Sequence, residues 1–247
     1  MTAAIVDTHS HIQVDRFAED REDVIARALE AGLSRIVVCG DDVPSSHAAL
    51  ALADAHECVL PTAGIHPHEA ESADDTALDA IRAAAWDPRC VAVGEIGLDF
   101  YRDHSSPEAQ HRALEDQLAI AVETSQPVVI HSRGAEDAAV EPLKRYAAKS
   151  PLPAWGRPAG MMHCFGGTLE QARVFVELGF VVSPRVYHHL SEERRAAAHR
   201  RRTAAFVTGR GDGQPVSSAA ADAREAKRAG ECKRGGCSAG RSPQHGV

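Results

Sequence analysis

The sequence predicts an α/β fold, a TIM-type (β/α)8 barrel incomplete at strand 8, and three observations carry that expectation. Apolar runs that alternate with a period of two are interleaved with amphipathic runs of helical period. Five of the strand-like runs end in a histidine or a carboxylate, at the end of the strand where barrel enzymes keep their chemistry. A length of 247 residues suits one barrel of roughly 250 residues, so no second large domain is required.

The first strand is expected over residues 3–8, with a helix near residues 21–31. A second strand over 35–39 leads into a helix near 45–55, and strands follow at 59–64 and 90–95. Ser106 before Pro107 reads as an N-cap followed by a proline at the first helical position, which opens a helix to residue 124. Runs over 127–131, 160–163 and 180–183 complete seven strands. Strands separated by helices pair in parallel through right-handed crossovers. A doubly wound open sheet is the alternative, but it gathers ligands at one switch point and leaves functional groups on five strand ends unexplained.

Beyond residue 186 the apolar periodicity fades. Arginines at 194, 195, 200, 201 and 202 lead into a Gly, Ser, Ala, Arg and Lys stretch, where only residues 204–208 suggest a strand and 217–229 a weak helix. The expected division is a barrel over residues 1–190 and a basic, largely disordered tail over 191–247.

Composition narrows the function classes. The net charge of −8 is uneven: residues 1–193 hold 15 Lys/Arg against 31 Asp/Glu, and residues 194–247 hold 12 against 4. An acidic body repels nucleic acid at long range, so a phosphate substrate has to be held by metal ions and a few local cations. No apolar stretch reaches the roughly 18 residues of a membrane span, and no basic leader precedes the first strand, so a cytoplasmic protein without membrane contact or obligate protein partner is expected. The six cysteines show no paired spacing, and four lie in or beside strands as small reduced hydrophobes.

The chemistry-bearing residues sit at the strand ends. His9 and His11 are two apart, so a strand points both imidazoles to one face, half of a metal site. Glu95 follows an apolar run, and a buried carboxylate there bridges two cations or else pairs with Arg102 or Arg133. His131 and His163 each close a further apolar run and reach the same mouth, whereas strand alternation turns Cys164 away. Four histidines and one glutamate converging from different strands favour a metal centre over satisfied core histidines. Asp99 is expected on the loop after Glu95. His66 and His68 flank Pro67 in a turn that offers an imidazole to a phosphate or leaving group, although a structural role accounts equally for that spacing. Arg133 offers a bidentate fork to a phosphate, with Glu136 or Asp137 as alternative partners.

Five ordered motifs over about residues 4–184 resemble the TatD family of metal-dependent deoxyribonucleases. They are Val6-Asp7-Thr8-His9-Ser10-His11, Gly64-Ile65-His66-Pro67-His68, Gly94-Glu95-Ile96-Gly97-Leu98-Asp99 with Tyr101-Arg102-Asp103, the run from Pro127 through His131-Ser132-Arg133 to Asp137, and His163-Cys164-Phe165-Gly166-Gly167. The resemblance implies two divalent ions, Mg2+, Mn2+ or Zn2+. His9 and His11 would hold one, His131 and His163 the other, with catalytic Glu95 between them. It implies hydrolysis of DNA or another phosphodiester, beside which the residue chemistry above places His66 and Arg133 at the substrate.

The chain departs from that pattern twice. Gln13 stands where the family has Asp or Asn, and the Glu-Thr-Asp-x-Pro motif of the last strand, whose aspartate completes the site, is absent. Asp212 in Gly211-Asp212-Gly213 is one stand-in. A reading-frame slip is another: GAG ACG GAC GGC minus one base reads AGA CGG ACG GC, which gives the observed Arg201-Arg202-Thr203-Ala204. A lost strand 8 exposes the edges of strands 1 and 7, with low solubility and weak activity expected. Two rivals follow: a non-catalytic remnant that keeps its metal, and an amidohydrolase of amides or esters, against which stand the Glu95 motif and the lack of a bridging lysine.

Overall fold

In a computed structural model the described residues are 5–185. Seven parallel strands run β1 (Ile5–Ser10), β2 (Leu33–Val38), β3 (Val59–Ala63), β4 (Ala92–Asp99), β5 (Val128–Arg133), β6 (Gly160–Phe165) and β7 (Phe180–Pro184), each hydrogen-bonded to the next in chain order. Between them lie α1 (Arg21–Glu30), α2 (Val43–Ala55), α3 (Asp75–Ala85), α4 (Pro107–Thr124), α5 (Glu136–Lys149) and α6 (Leu169–Glu177). Among the described residues β1 pairs only with β2, and β7 only with β6. The expected strand at 204–208, the helix at 217–229, Asp212 and the basic tail lie outside the described residues.

The sheet is curled. In a flat sheet β1 and β6, five strands apart, would stand about 24 Å from one another. Instead the His9 ring on β1 stacks on the His163 ring on β6, with centroids 3.4 Å apart and planes within 9°. Only a sheet that bends back toward closure brings those two strand ends into contact, which makes this an open TIM-like barrel.

Local chemistry fixes the elements much as the residues predict. Ser106 caps α4 by accepting from the Ala109 N–H, and Pro107 occupies the first helical position. Asp42 and Ser45 form a reciprocal capping box on α2, as do Thr168 and Gln171 on α6. The helices lay apolar faces against the outside of the sheet, where Ile65, Ile81, Ile96, Leu98, Leu114, Ile130, Leu143, Met162 and Phe175 are fully buried. Among the described residues no helix is long and apolar enough to cross a membrane. Cys39, Cys58 and Cys90 are buried free thiols, in line with a reduced, hydrophobe-like role.

Two expectations need correction. β4 does not stop at Glu95; it continues to Asp99, every residue buried, so Asp99 is a strand residue and not a loop residue. Gly97 serves close strand approach: a Cβ there, where φ is +146°, would run into the carbonyl oxygen of His131 on β5. Cys164 does not alternate away from the mouth. Its φ of 46° breaks the β6 pleat where the β6–β7 register shifts, and its side chain lines the cleft described next.

Candidate metal centre

A cleft of about 300 Å3 opens at the C-terminal ends of the strands and is lined by His9, His11, His66, Glu95, His131 and His163, with Arg133 at its wall. Every site residue expected from the sequence therefore faces one space. Glu95, 3% exposed, is the hub. Its Oε2 lies 3.1 Å from His9 Nε2 and 3.3 Å from His11 Nε2, and those two nitrogens are 2.9 Å apart. Its Oε1 accepts from His131 Nδ1 at 3.1 Å. Glu95 thus pairs with three imidazoles, and neither Arg102 nor Arg133 is its partner.

Backbone bonds bring a further carboxylate to the hub. The Glu95 N–H donates to the Gly40 carbonyl at 2.8 Å, and the His66 N–H donates to the Asp41 carbonyl at 2.7 Å, so the segment after β2 is held against β4. Asp41 then stands 3.2 Å from His11 Nδ1, but that nitrogen is aligned on the Cys39 carbonyl at 3.0 Å. The ion pair is one of distance alone, and Asp41 Oδ1 is left buried without a hydrogen bond. Gln13, the departure after the paired histidines, donates to the same Cys39 carbonyl at 2.6 Å and so helps seat the loop beneath His11.

The sequence does not single out Asp41, and it names His68 and Asp99 without the contact that joins them. Asp41 follows β2 at the strand end where the other site residues stand, a signal that was available. Asp99 Oδ2 lies 3.0 Å from both His68 Nε2 and His131 Nε2, while its Oδ1 accepts the Tyr101 and Arg102 N–H groups at 2.9 and 2.8 Å. His68 enters through a 3-10 turn over Pro67–Ser72 whose N-cap is His66. His66 Nδ1 accepts the His68 N–H at 3.1 Å, which assigns its proton to Nε2.

Charge states follow from these contacts. Burial opposes ionisation of Glu95, yet the charge on His9 and the bonds from His11 and His131 hold its carboxyl well below the ordinary range. Burial likewise works against a proton on His11, but Asp41 and Glu95 outweigh it and raise His11 to about 10. His131 is raised against its burial by Glu95 and Asp99. His66 and His163 go the other way: burial lowers them to about 4 and about 3, leaving neutral imidazoles, that of His66 with its Nδ1 lone pair taken by the His68 N–H.

This donor set fits divalent cations. Ligand atoms of His9, Glu95 and His163 lie within 4.8 Å of one another, as do those of His11, Asp41 and Glu95, so Glu95 belongs to two adjoining groups. A third group joins His66, His68 and His131. The geometry sets the His163 ring beside His9, while His131 turns to Glu95 and Asp99. The orphaned Asp41 oxygen beside a second carboxylate is a feature that a cation satisfies. Binding at His11, raised to about 10, would release a proton.

Residues 6–207 match the family described as TatD related DNase. The chain belongs to the TatD-related DNase family. Among its relatives, the 3'-5' ssDNA/RNA exonuclease TatD of Citrobacter koseri is 38% identical over 167 residues, 68% of this chain and 62% of that protein. The protein of the same description from Enterobacter lignolyticus is 36% identical over 185 residues, 75% of this chain and 68% of that one. The crystal structure of YjjV, a TatD homologue from Escherichia coli, superimposes with a TM-score of 0.65 at 34% identity, covering 72% of this chain and 66% of that one. An uncharacterised amidohydrolase from Saccharomyces cerevisiae, 20% identical with a TM-score of 0.62 over 72% of this chain and 67% of its own, shares the fold. The chain spans about 62% of the length of the first of these TatD relatives.

Proposed function

We propose that this chain is a metal-dependent phosphodiesterase that acts on single-stranded nucleic acid, with His9, His11, Glu95, His131 and His163 as metal ligands and His66 and Arg133 at the substrate. The observation that carries this reading is the convergence of the five ligands on one cleft beside an unsatisfied Asp41 oxygen. Relatives described as 3'-5' ssDNA/RNA exonucleases support the substrate class.

Two ions are the expected number, because Glu95 is shared by two adjoining ligand groups. The N/O donor set suits Mg2+, Mn2+ or Zn2+. Bound divalent cations polarise the phosphoryl group and lower the pKa of water, which supplies a nucleophile at neutral pH. The chain's own residues position the substrate. Glu95 stays ionised and holds the His9 and His11 imidazoles together. Asp99, anchored by two backbone N–H groups, fixes the ring orientation of His131. Neutral His66 turns its Nε2–H donor to the cleft, where it meets a phosphate oxygen without adding charge. Arg133 supplies the local cation that an acidic body needs to retain a polyanion.

The test is cleavage of 3'-labelled and 5'-labelled single-stranded DNA in Mn2+, Mg2+ or Zn2+, with EDTA and Glu95→Ala controls and a metal count by mass spectrometry. We expect EDTA-sensitive cleavage, two ions per chain, and a loss of at least about 100-fold in Glu95→Ala. Metal uptake without turnover by the soluble chain would instead favour a ligand-binding remnant, the reading to which the absent Glu-Thr-Asp-x-Pro motif points. Hydrolysis of an amide and no phosphodiester would overturn both.

A further inference from the structure

Beside the metal-centre cleft lies a second one of about 440 Å3, which shares Arg133, Ser132, Cys164 and Arg185 with it as a common wall. Its outer rim is Tyr101, 67% exposed although it sits on the turn that leaves the buried β4. The Arg133 guanidinium lies over the Tyr101 ring at 3.9 Å from its centroid, and the Arg102 guanidinium stands at 5.8 Å. Glu136 is the one carboxylate on this wall among the described residues, against two arginines, in a body that is otherwise strongly acidic.

The arrangement is built and not incidental. Asp99 Oδ1 accepts the backbone N–H groups of Tyr101 and Arg102, and the Phe100 N–H donates to the Arg133 carbonyl at 3.0 Å, so the turn is tied to both strand ends. Asp99 and Arg133 are register partners across β4 and β5. Gly134, with φ of +64°, follows Arg133 in a left-handed conformation that favours glycine, and a Cβ there would reach Phe100 and Tyr101. A large exposed aromatic ring held rigidly beside guanidinium groups has little value to a folded core, because most of its apolar surface stays in water.

We propose that this second cleft is a nucleotide subsite of the phosphodiesterase, where Tyr101 and Arg133 form a platform for the base next to the scissile phosphate. The proposal rests on the function proposed above and deepens it by adding a base-recognising surface to a phosphate-processing site. Three features point to a nucleotide over a bare phosphate: a ring with open surface, a guanidinium plane already stacked on it, and a volume in the range of small-molecule sites. Stacking on an aromatic ring accepts any base, so the subsite selects unpaired strands without reading their sequence. Its shared wall sets the phosphate between the arginines and the metal centre, which keeps base and scissile bond in fixed relation.

Binding of fluorescein-labelled dT10 and of an oligomer of the same length with abasic sites tests this, in EDTA so that no hydrolysis competes. The full chain should bind dT10 at least about fivefold more tightly than the abasic oligomer. In Tyr101→Ala that ratio should fall toward one, and Tyr101→Phe should restore it. Circular dichroism verifies that both variants are folded. Equal affinity of the full chain for the two oligomers, or a ratio untouched by Tyr101→Ala, overturns the platform. Cleavage of dT10 in Mn2+ is read in parallel. A chain that cleaves but binds without regard to bases overturns only the platform, and one that binds bases but cleaves nothing overturns only the hydrolase reading.

Discussion

Replacing Asp99 by Asn removes one negative charge from the most connected buried residue after Glu95 and leaves its shape intact. Asp99 is fully buried, with two imidazoles at 3.0 Å on Oδ2 and two backbone N–H groups on Oδ1. An asparagine keeps the Oδ1 acceptor, but its amide points donors at His68 and His131, whose nitrogens donate in the native arrangement. Burial alone would raise the Asp99 carboxyl. The bond from His68, the Arg102 N–H, His131 and the Tyr101 N–H override it and bring the group to about 2 from its ordinary 3.8. That difference corresponds to about 2 kcal/mol of folding stability.

The sign follows from the direction of the displacement. A carboxyl depressed in the folded state stabilises above its unfolded pKa, and that contribution disappears as pH falls through the folded value. Urea unfolding in EDTA, followed by circular dichroism from pH 6 to pH 2, reads it directly. Asp99→Asn should be about 2 kcal/mol less stable than the parent at pH 6. The gap should close between about pH 4 and pH 2 as the parent protonates. A gap that stays constant to pH 2, or a variant as stable as the parent at pH 6, would refute the assignment of Asp99 as an ionised anchor of His68 and His131.

Two further outcomes follow from the packing. Gly97→Ala drives a methyl into the His131 carbonyl at a φ of +146°, and should destabilise the fold by more than about 3 kcal/mol in the same urea assay; a loss under about 1 kcal/mol would contradict the close β4–β5 approach. Burial raises the Cys39, Cys58 and Cys90 thiols, Cys90 to about 11, whereas Cys164 lines the open cleft. Peptide mapping after iodoacetamide at pH 7.5 should therefore find Cys164 modified in the native chain and the other three protected until urea is added, and native labelling of Cys39 at the rate of Cys164 would be inconsistent with the packing around β2.

The barrel was legible because its determinants are local. Period switching marks each strand and helix, and Ser106-Pro107 marks the start of α4 before any tertiary contact is known. What escaped were features set by a neighbouring strand. The strand expected over residues 90–95 stops at Glu95, yet Ile96 and Leu98 alternate as a strand does, and Gly97 is required by the His131 carbonyl, which lies 34 positions away in the chain. Cys164 was placed on the wrong face because alternation holds only while φ stays extended, and nothing local announces the left-handed residue in β6.

The same distinction governs the site. His9, His11, His131 and His163 stand at or beside the C-terminal ends of β1, β5 and β6, and strand ends in a barrel share one destination, so position in the element is enough to predict that they line one cleft; Glu95 reaches it from inside β4. Asp41 obeys that rule, standing just after β2, beside Asp42, which caps α2. His68 does not obey it, since it enters from a 3-10 turn, and Asp99 stands at a strand end only because β4 runs on past Glu95. The residues that line the cleft can therefore be read from element order. The partners that orient them cannot, because His131 is fixed by a carboxylate 32 positions away and His11 by the carbonyl of Cys39, 28 positions away. The arrangement of the cleft thus depends on contacts between strand ends that no single motif contains, and Asp99, which touches His68, His131 and the Tyr101 turn at once, is the residue through which the proposed metal centre and the proposed nucleotide platform share one support.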